Sequence, residues 1–479
     1  MSTHTWTQSF EEYTQKLLDN TKTPGAILAL AQDGALVYYQ SFGYSDVEQK
    51  TEITLDTVFG IGSCTKSFAC AAIMHLQDAG KLSVHDPVVK YLPEFRTPNA
   101  ERTKQITIHH FMTHTAGLPP LPALGNSIKR SFEADPHMQE TVEQMKEISP
   151  IDTYEELMDF IASQKFDLLG EPGTEFSYSN DAYALLGAII ESVSGKPFET
   201  YLKEIILDPA GMTNSVFHLE ELQGNTDIAM LYSSKGTGED KEVFPSPAPW
   251  DAPPMRAAGF LKSTVKDLLK YLEIFRTRGL VGNTRILSAA SVEQLMEPYV
   301  EISQSHYYGY GLSVHTDYHG ATLVEHGGNI KGVSAEIFLI PEQGITGAIL
   351  SNLVEAPSPT IMEASLNGYQ SRPLQARAIA YQKQELSADH ANQYVGTFAT
   401  LEGNSFTISY EDGTLLLSKL DKASFSLSYI GEDRFVFTQD DKETAIRFIR
   451  NSEGHVIRVL GGFRQLTKSD IVKNEGVHT

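Results

Sequence analysis

Strand-like segments on both sides of a helix-rich region limit most strongly how this chain can fold. Two short apolar runs over 26–42 are separated by Gln-Asp-Gly, a turn typical of a β-hairpin. Further runs over 322–352 are separated by Gly-Gly-Asn and Glu-Gln-Gly. The stretches 63–80 and 180–195 between them place apolar residues at the 3.6-residue helical period. The pattern predicts one α/β domain (α+β), in which an antiparallel sheet built from distant segments is flanked by helices.

The pattern changes near residue 390. From there to 473, short β-like runs such as SFTISY, GTLLLSKL and RFVFTQ recur at intervals of 8 to 12 residues, with turn sequences between them. This spacing predicts a separate small all-β barrel over 390–473. The stretch 354–389 is predicted to be a linker with one helix.

The overall charge excludes several classes of partner. The chain has 38 Lys and Arg against 61 Asp and Glu, a formal net charge of −23, which repels nucleic acid and anionic lipid surfaces. No apolar run approaches the ~18 residues of a membrane helix, and the N-terminal residues lack a signal-peptide pattern. Cys64 and Cys70 lie on one predicted helix without facing each other, so no disulfide is expected. We therefore expect a cytoplasmic protein without nucleic-acid or membrane partners.

The strongest candidate for chemistry is Ser63-Cys64-Thr65-Lys66. Lys66 is the only permanently charged residue over 57–77, and a lone ammonium in an apolar helix requires an explanation. Ser63 alone is explained as a helix cap, but a cap does not account for a lysine in the first turn, where the helix dipole disfavours a cation. Burial and dipole both lower the pKa of Lys66. A neutral amine about 5 Å from a serine hydroxyl is a nucleophile with its base.

A second S-x-x-K copy, Ser263 to Lys266, provides an internal comparison. Lys262, Lys266 and Lys270 recur at helical spacing, which is typical of a solvated helix face. This copy is predicted to have no catalytic role.

Two further motifs indicate a function only in combination with Ser63. Tyr178 precedes a helix and Asn180 is explained by capping, but a tyrosine beside a lysine can also handle the proton of a leaving group. In His326-Gly327-Gly328-Asn329 the glycines permit close backbone approach, and the amides can form part of an oxyanion hole; the alternative is a simple turn with an incidental histidine.

Metal and other cofactors are not expected in the reaction. His110 and His114 have the spacing of zinc ligands, but Phe111 replaces the acid of the H-E-x-x-H motif. These histidines are instead predicted to form hydrogen bonds within the turn over 113–117. No G-x-S-x-G motif and no glycine-rich phosphate loop after a strand occur in the chain.

Together the motifs resemble a known family. Three of them stand in the order and approximate spacing of the penicillin-recognising serine hydrolases: Ser63-x-x-Lys66, Tyr178-x-Asn180 and His326-x-Gly328. The chain resembles the class C β-lactamase-related branch over residues 8–353, which implies a β-lactamase/transpeptidase-like fold. The C-terminal barrel is similar to the lipocalin-like domain that some peptidases of this family carry.

The resemblance also implies roles for single residues. It makes Ser63 the acylated nucleophile, Lys66 the activating amine and Tyr178 the proton shuttle. It also makes Asn180 the residue that orients substrate and Lys66, and gives the oxyanion hole to the amides of Ser63 and Asn329.

His326-Gly327-Gly328 departs from the Lys-Thr-Gly or Lys-Ser-Gly that β-lactamases of the family commonly have. A histidine that faces the substrate would bind carboxylates only when it is protonated, near pH 6.5 or below. The departure argues against a dedicated β-lactamase, because family members with His-x-Gly include peptidases and esterases.

The sequence thus predicts a serine hydrolase that acts through an acyl-enzyme on short peptides, including those with D-residues, or on related amides and esters. An esterase or weak β-lactamase of the same fold is the alternative within this chemistry. A catalytically inactive protein that binds peptides or cell-wall fragments is the alternative from another class. A homo-oligomer is left open.

Overall fold

The structure is a computed structural model that describes residues 5–222, 224–419, 424–439 and 442–469. Its helices are α1 Thr5–Thr21, α2 Thr65–Asp78, α3 Ala100–Thr103, α4 Ile108–Met112, α5 Ala123–Ala134, α6 Gln139–Gln144, α7 Tyr154–Ser163, α8 Asn180–Ser194, α9 Phe198–Leu202, α10 Val265–Arg276, α11 Ala289–Leu295, α12 Ser358–Tyr369 and α13 Ala388–Ala391. The strands of the first 351 residues are β1 Gly25–Gln32, β2 Ala35–Asp46, β3 Thr51–Glu52, β4 Phe59–Gly60, β5 Tyr232–Lys235, β6 Glu242–Pro245, β7 Lys262–Ser263, β8 Leu280–Val281, β9 Thr284–Arg285, β10 Val300–Ser303, β11 His306–Tyr308, β12 Ser313–Tyr318, β13 Ala321–Ile330, β14 Val333–Ile340 and β15 Ile345–Ser351. The later strands are β16 Gly396–Ala399, β17 Ser405–Glu411, β18 Thr414–Lys419, β19 Ser424–Gly431, β20 Arg434–Gln439, β21 Lys442–Arg450, β22 Val456–Gly461 and β23 Arg464–Ser469.

The main sheet joins the two ends of the predicted domain. Its nine strands run in the order β10-β11-β12-β13-β14-β15-β1-β2-β3, and β1 pairs antiparallel with β15. All residues of β14 and β15 are buried, because these central strands are covered by helices on both faces. The predicted mixed fold, with an antiparallel sheet flanked by helices, is confirmed.

The C-terminal strands β16 to β23 form a closed barrel of eight strands, in which β16 pairs with both β17 and β23. Inward side chains such as Phe398, Phe435 and Val459 are buried and form a core of their own. The predicted all-β barrel is therefore confirmed.

The predicted linker over 354–389 needs a correction. Helix α12 lies within it, but Ile361 and Leu366 pack into the same apolar cluster as Phe10 of α1 and Phe338 of β14. This helix therefore belongs to the first body, because its apolar face is buried against the sheet. Residues 354–357 and 370–387 lack helix and strand, and the second of these segments leads to α13 and the barrel.

The barrel packs against the first body through the tip of the β22–β23 hairpin. The backbone N–H of Tyr178 donates to the carbonyl of Phe463 over 2.8 Å. Leu460 of β22 joins an apolar cluster with Phe176, Tyr178 and Tyr308. The loop that carries Tyr178 is thus held by the barrel as well as by its own domain.

Among the described helices, none combines the length and apolar character needed to cross a membrane.

Candidate active site

Ser63 lies in a short 3₁₀ turn, Gly62–Cys64, immediately before α2. Its side chain makes no capping hydrogen bond to the helix, so capping does not explain the serine. Gly62 has φ +48°, and a methyl group built on it would come within 2.7 Å of the Asn329 nitrogen. Because the turn touches the backbone of β13 so closely, the position of Ser63 is fixed by two elements that are far apart in sequence.

Lys66 is fully buried, and its Nζ has three partners. It lies 3.2 Å from the Ser63 Oγ, 2.9 Å from the Asn180 Oδ1 and 2.6 Å from the carbonyl oxygen of Ala258. Burial lowers the pKa of Lys66 well below its usual value, and the nearby Arg464 guanidinium lowers it further.

The three partners suit a neutral amine. A neutral amine has two N–H donors and one lone pair. The carbonyl of Ala258 and the amide oxygen of Asn180 can only accept, so they use both donors. The contact with the Ser63 Oγ is then the one at which the lone pair of a neutral amine can accept the hydroxyl proton. In this arrangement the Lys66 amine can accept the Ser63 proton.

Tyr178 lies on the other side of the same two groups. The Lys66 Nζ is 4.7 Å from the centre of the Tyr178 ring, and the phenol is hydrogen-bonded to Ser63. Burial raises the pKa of Tyr178, which keeps the phenol protonated. Ser179, rather than Asn180, caps α8, so the Asn180 side chain is free to hold Lys66.

Gly328 and Asn329 of β13 lie against the turn that carries Ser63. A methyl group built on Gly328 would come within 1.9 Å of the Ile61 carbonyl oxygen and 3.0 Å of the Ser63 nitrogen. Ser63 and Asn329 both line the adjoining cavity. The close packing of the two backbones brings together the amides that the resemblance assigns to an oxyanion hole.

We expect Gly328→Ala to lower kcat/KM at least about 100-fold, because the added methyl must push the Ser63 turn away from β13 and oxyanion-hole donors contribute about this much. Gly125→Ala is the matched control, since nothing lies within 4 Å of a methyl group at that position in α5. Steady-state kinetics on both variants, with circular dichroism to verify folding, decides the matter. Equal activity of the two variants would contradict the close approach.

His326 occupies a different position from the one expected of a substrate-binding group. Its ring is buried beneath the site: Nδ1 donates to the Gly327 carbonyl over 2.6 Å, and Nε2 accepts from the Tyr308 hydroxyl over 2.9 Å. Burial lowers the pKa of His326 to about 4, so the ring is neutral around pH 7. The expectation of a histidine that titrates against substrate carboxylates is therefore corrected, because both nitrogens already have protein partners.

His114 supports the site in a way that the sequence did not indicate. Its Nδ1 accepts from the Ser179 N–H over 3.0 Å, and its ring packs 4.2 Å from that of Tyr178. His110 instead accepts from the Thr107 N–H and caps α4. The predicted hydrogen bonds of His114 within its own turn are replaced by this contact to the Tyr178 loop.

Arg464 is the functional candidate that the sequence analysis missed. It begins β23 of the barrel, yet its Nη1 donates to the Tyr178 carbonyl over 2.9 Å, and its guanidinium lies 4.8 Å from the centre of the Tyr178 ring. Glu402 holds its Nε at 3.0 Å. No local pattern around Gly461 to Arg464 indicates this role, because it arises only from docking of the barrel.

These groups open into a cavity of about 1100 Å³. Tyr178, Asn180 and Arg464 line this cavity. Lys331 and Asp135, which form a buried ion pair, line it as well. The cavity can hold a substrate of several residues beside Ser63.

Comparison with known proteins identifies the family. The model of the family described as Beta-lactamase matches residues 10–366. The chain belongs to the beta-lactamase family. The match includes every group described around Ser63 except Arg464 and its partner Glu402, which lie in the barrel domain.

Three known proteins are similar to this chain in sequence or in structure. Protein flp of Staphylococcus aureus is 24% identical over 382 residues, which cover 78% of this chain and 67% of that protein. The octameric penicillin-binding protein homologue from Pyrococcus abyssi is 28% identical with a TM-score of 0.68, and the match covers 96% of this chain and 100% of that one. The D-amino acid amidase from Ochrobactrum anthropi SV3 is 22% identical with a TM-score of 0.60, covering 76% and 99%, and shares the fold. The chain thus has the fold of the beta-lactamase family.

Proposed function

We propose that this chain is a serine hydrolase that acts through an acyl-enzyme on short peptides or related amides and esters. The observation that carries the proposal is the contact of the Ser63 hydroxyl with a buried Lys66 amine whose other two partners are acceptors. A buried lysine without a carboxylate partner is costly unless it is neutral, and a neutral amine beside a serine hydroxyl is a base.

In the first half-reaction the Ser63 Oγ attacks the substrate carbonyl while its proton moves to the Lys66 Nζ. The amides of Ser63 and Asn329 stabilise the negative charge on the carbonyl oxygen. As the bond between the carbonyl carbon and the leaving group breaks, the leaving amine or alkoxide takes a proton from the Tyr178 hydroxyl. The resulting tyrosinate then regains a proton from the Lys66 ammonium, so both side chains return to their starting states. The products are the acyl-Ser63 ester and the free leaving group.

In the second half-reaction a water molecule attacks the acyl-Ser63 carbonyl. The same pair of groups, Lys66 and Tyr178, accepts the water proton and returns a proton to the Ser63 oxygen as the ester breaks. Throughout both half-reactions, the Asn180 Oδ1 holds the Lys66 amine in place by accepting a hydrogen bond from one of its N–H groups. No metal or cofactor takes part in the proposed steps.

The cavity supports a substrate with a free carboxylate. Lys331 is buried within its ion pair with Asp135, whereas Arg464 lies beside Tyr178 in a partly exposed pair with Glu402. In this proposal Arg464, rather than the buried His326, is the cation that meets a substrate carboxylate, and it keeps its positive charge at any working pH. The amidase likeness adds D-amino acid amides to the substrates worth testing.

A panel of D- and L-amino acid amides, dipeptides, short-chain esters and a chromogenic β-lactam tests the substrate class. Peptide or amide turnover that exceeds ester turnover supports the proposal, and the reverse favours the esterase alternative. A chain that binds peptides but turns over no member of the panel would support the inactive binding protein. Homo-oligomer formation and cytoplasmic location stay predictions.

The Arg464 charge gives a pH prediction. Because a nearby positive charge disfavours the ammonium form, its removal raises the pKa of Lys66 and leaves more of the amine protonated at acidic pH. We expect the acid limb of kcat/KM to move up by about one pH unit in Arg464→Met. Arg464→Lys keeps the charge and is the matched control. An acid limb that stays in place in Arg464→Met, measured with a neutral ester, would contradict the coupling.

A further inference from the structure

We propose that His306, His315 and Glu325 form a binding site for a divalent transition metal ion, with Zn²⁺ as the ion that fits best. The site is separate from the cavity beside Ser63 and lies where the edge of the main sheet meets the barrel. It does not depend on the proposed hydrolase activity.

The three residues lie on adjacent strands. His306 on β11 is directly opposite His315 on β12, and Glu325 on β13 pairs with Ser313, two residues from His315. Side chains two residues apart on a strand share a face, so all three point to the same side of the sheet. One ligand atom from each lies within 4.8 Å of the others.

Small rotations of these side chains would bring their ligand atoms to the distances that an ion requires. The His315 Nε2 is 3.2 Å from the Glu325 Oε1, and neighbouring ligand atoms around a tetrahedral zinc ion lie about 3.4 Å apart. The imidazole rings of His306 and His315 are stacked, with centres 4.1 Å apart. Two imidazoles and a carboxylate are a common ligand set of zinc and other first-row metals.

Two polar atoms at this place have no partner among the described residues. The Nε2 of His306 is buried without a hydrogen bond, and so is the Oε1 of Glu336. Glu336 lies on β14 with 2% of its surface exposed, and its carboxyl group faces that of Glu325. Buried polar atoms are rarely left unpaired, so these two indicate a missing ligand.

The facing carboxyl groups of Glu325 and Glu336 also suit a cation. Two facing carboxyl groups either share a proton or need a cation between them. Lys442 of β21 lies near both, but its Nζ forms an ion pair with Glu363 of α12 at 3.1 Å. A divalent ion would neutralise Glu325 directly and allow Glu336 to act as a fourth ligand or to hold a bound water.

A bound ion would also affect the position of the barrel hairpin. The Phe463 ring packs against the His306 ring, with centres 5.9 Å apart, and against the Tyr178 ring at the same distance. Fixing His306 would therefore steady the hairpin tip that holds Tyr178. The ion is structural in this proposal and touches no group of the Ser63 site.

The test uses the full chain, which is stripped with a chelator, returned to metal-free buffer and then incubated with excess Zn²⁺. We expect one Zn²⁺ per chain after gel filtration, measured by elemental mass spectrometry, and a visible d–d absorption when Co²⁺ is added instead. Zn²⁺ should also raise the Tm of the stripped protein. His306→Ala and Glu325→Gln should weaken Zn²⁺ binding at least about 100-fold, because each removes a direct ligand.

His455→Ala is the matched control, because His455 and Glu453 form an exposed pair 3.4 Å apart outside the cluster. His315→Asn is a second test variant at a partly exposed position, and it keeps the proposal falsifiable if His306→Ala fails to fold. Equal loss of binding in His455→Ala, less than one Zn²⁺ per wild-type chain, or unchanged binding in the folded His306 or His315 variants would overturn the site.

Discussion

Ser63→Ala is expected to lose at least about 1000-fold in kcat/KM, since the hydroxyl is the attacking atom in the proposed mechanism. The fold should stay intact, because Ser63 makes no capping hydrogen bond and its turn is held by the backbone of Gly62 against β13. Initial rates on the best substrate of the panel and a thermal melt measure the two effects. Turnover within tenfold of the wild type would show that another group is the nucleophile.

Lys66→Met should have an effect of similar size on turnover. The methionine fills nearly the same volume but has no basic nitrogen, so the Ser63 proton has no acceptor, and we expect a loss of at least about 1000-fold. The Asn180 Oδ1 and the Ala258 carbonyl also lose their donor, which should lower the free energy of unfolding by about 1–3 kcal/mol. Kinetics and chemical denaturation measure the two effects separately.

The second S-x-x-K copy supplies the control for this variant. Lys266 is exposed and pairs with Asp56 at 3.0 Å, so Lys266→Met should change turnover less than twofold and stability by less than about 1 kcal/mol. A strong loss of turnover in Lys266→Met, or near-normal turnover in Lys66→Met, would separate Lys66 from the chemistry.

Much of the fold and the central site could be predicted because the relevant signals are local. The hairpin turn near residue 33, the helical period after Ser63 and the strand spacing after residue 390 are each contained in a short stretch. The lone charge of Lys66 in an apolar helix is local as well. The partners that hold this lysine could not be predicted locally, because Asn180 and Ala258 are more than 100 residues away from it.

The parts that could not be predicted depend on packing between distant elements. Arg464 is 286 residues from Tyr178, and only the docking of the barrel brings the two together. The strand period places His326 on one face of β13. The sequence does not show, however, that the Tyr308 hydroxyl would form a hydrogen bond with its Nε2. The cluster of His306, His315 and Glu325 depends on strand register, which no spacing pattern indicates.

The helix in the predicted linker shows the same limit. Residues 354–389 have a composition typical of a connection, but the apolar face of α12 finds its partners in α1 at the other end of the chain. Burial of a helix face depends on what lies opposite, and composition alone does not reveal it.

Trapping of the acyl-enzyme tests the central claim most directly. The wild type is incubated with a slowly hydrolysed β-lactam or a fluorophosphonate, and the intact mass and the peptide map are compared with those of Ser63→Ala. We predict one adduct per chain, located on Ser63, that is absent in Ser63→Ala and forms much more slowly in Lys66→Met. An adduct on another residue, or equal labelling of the Ser63→Ala protein, would contradict the account.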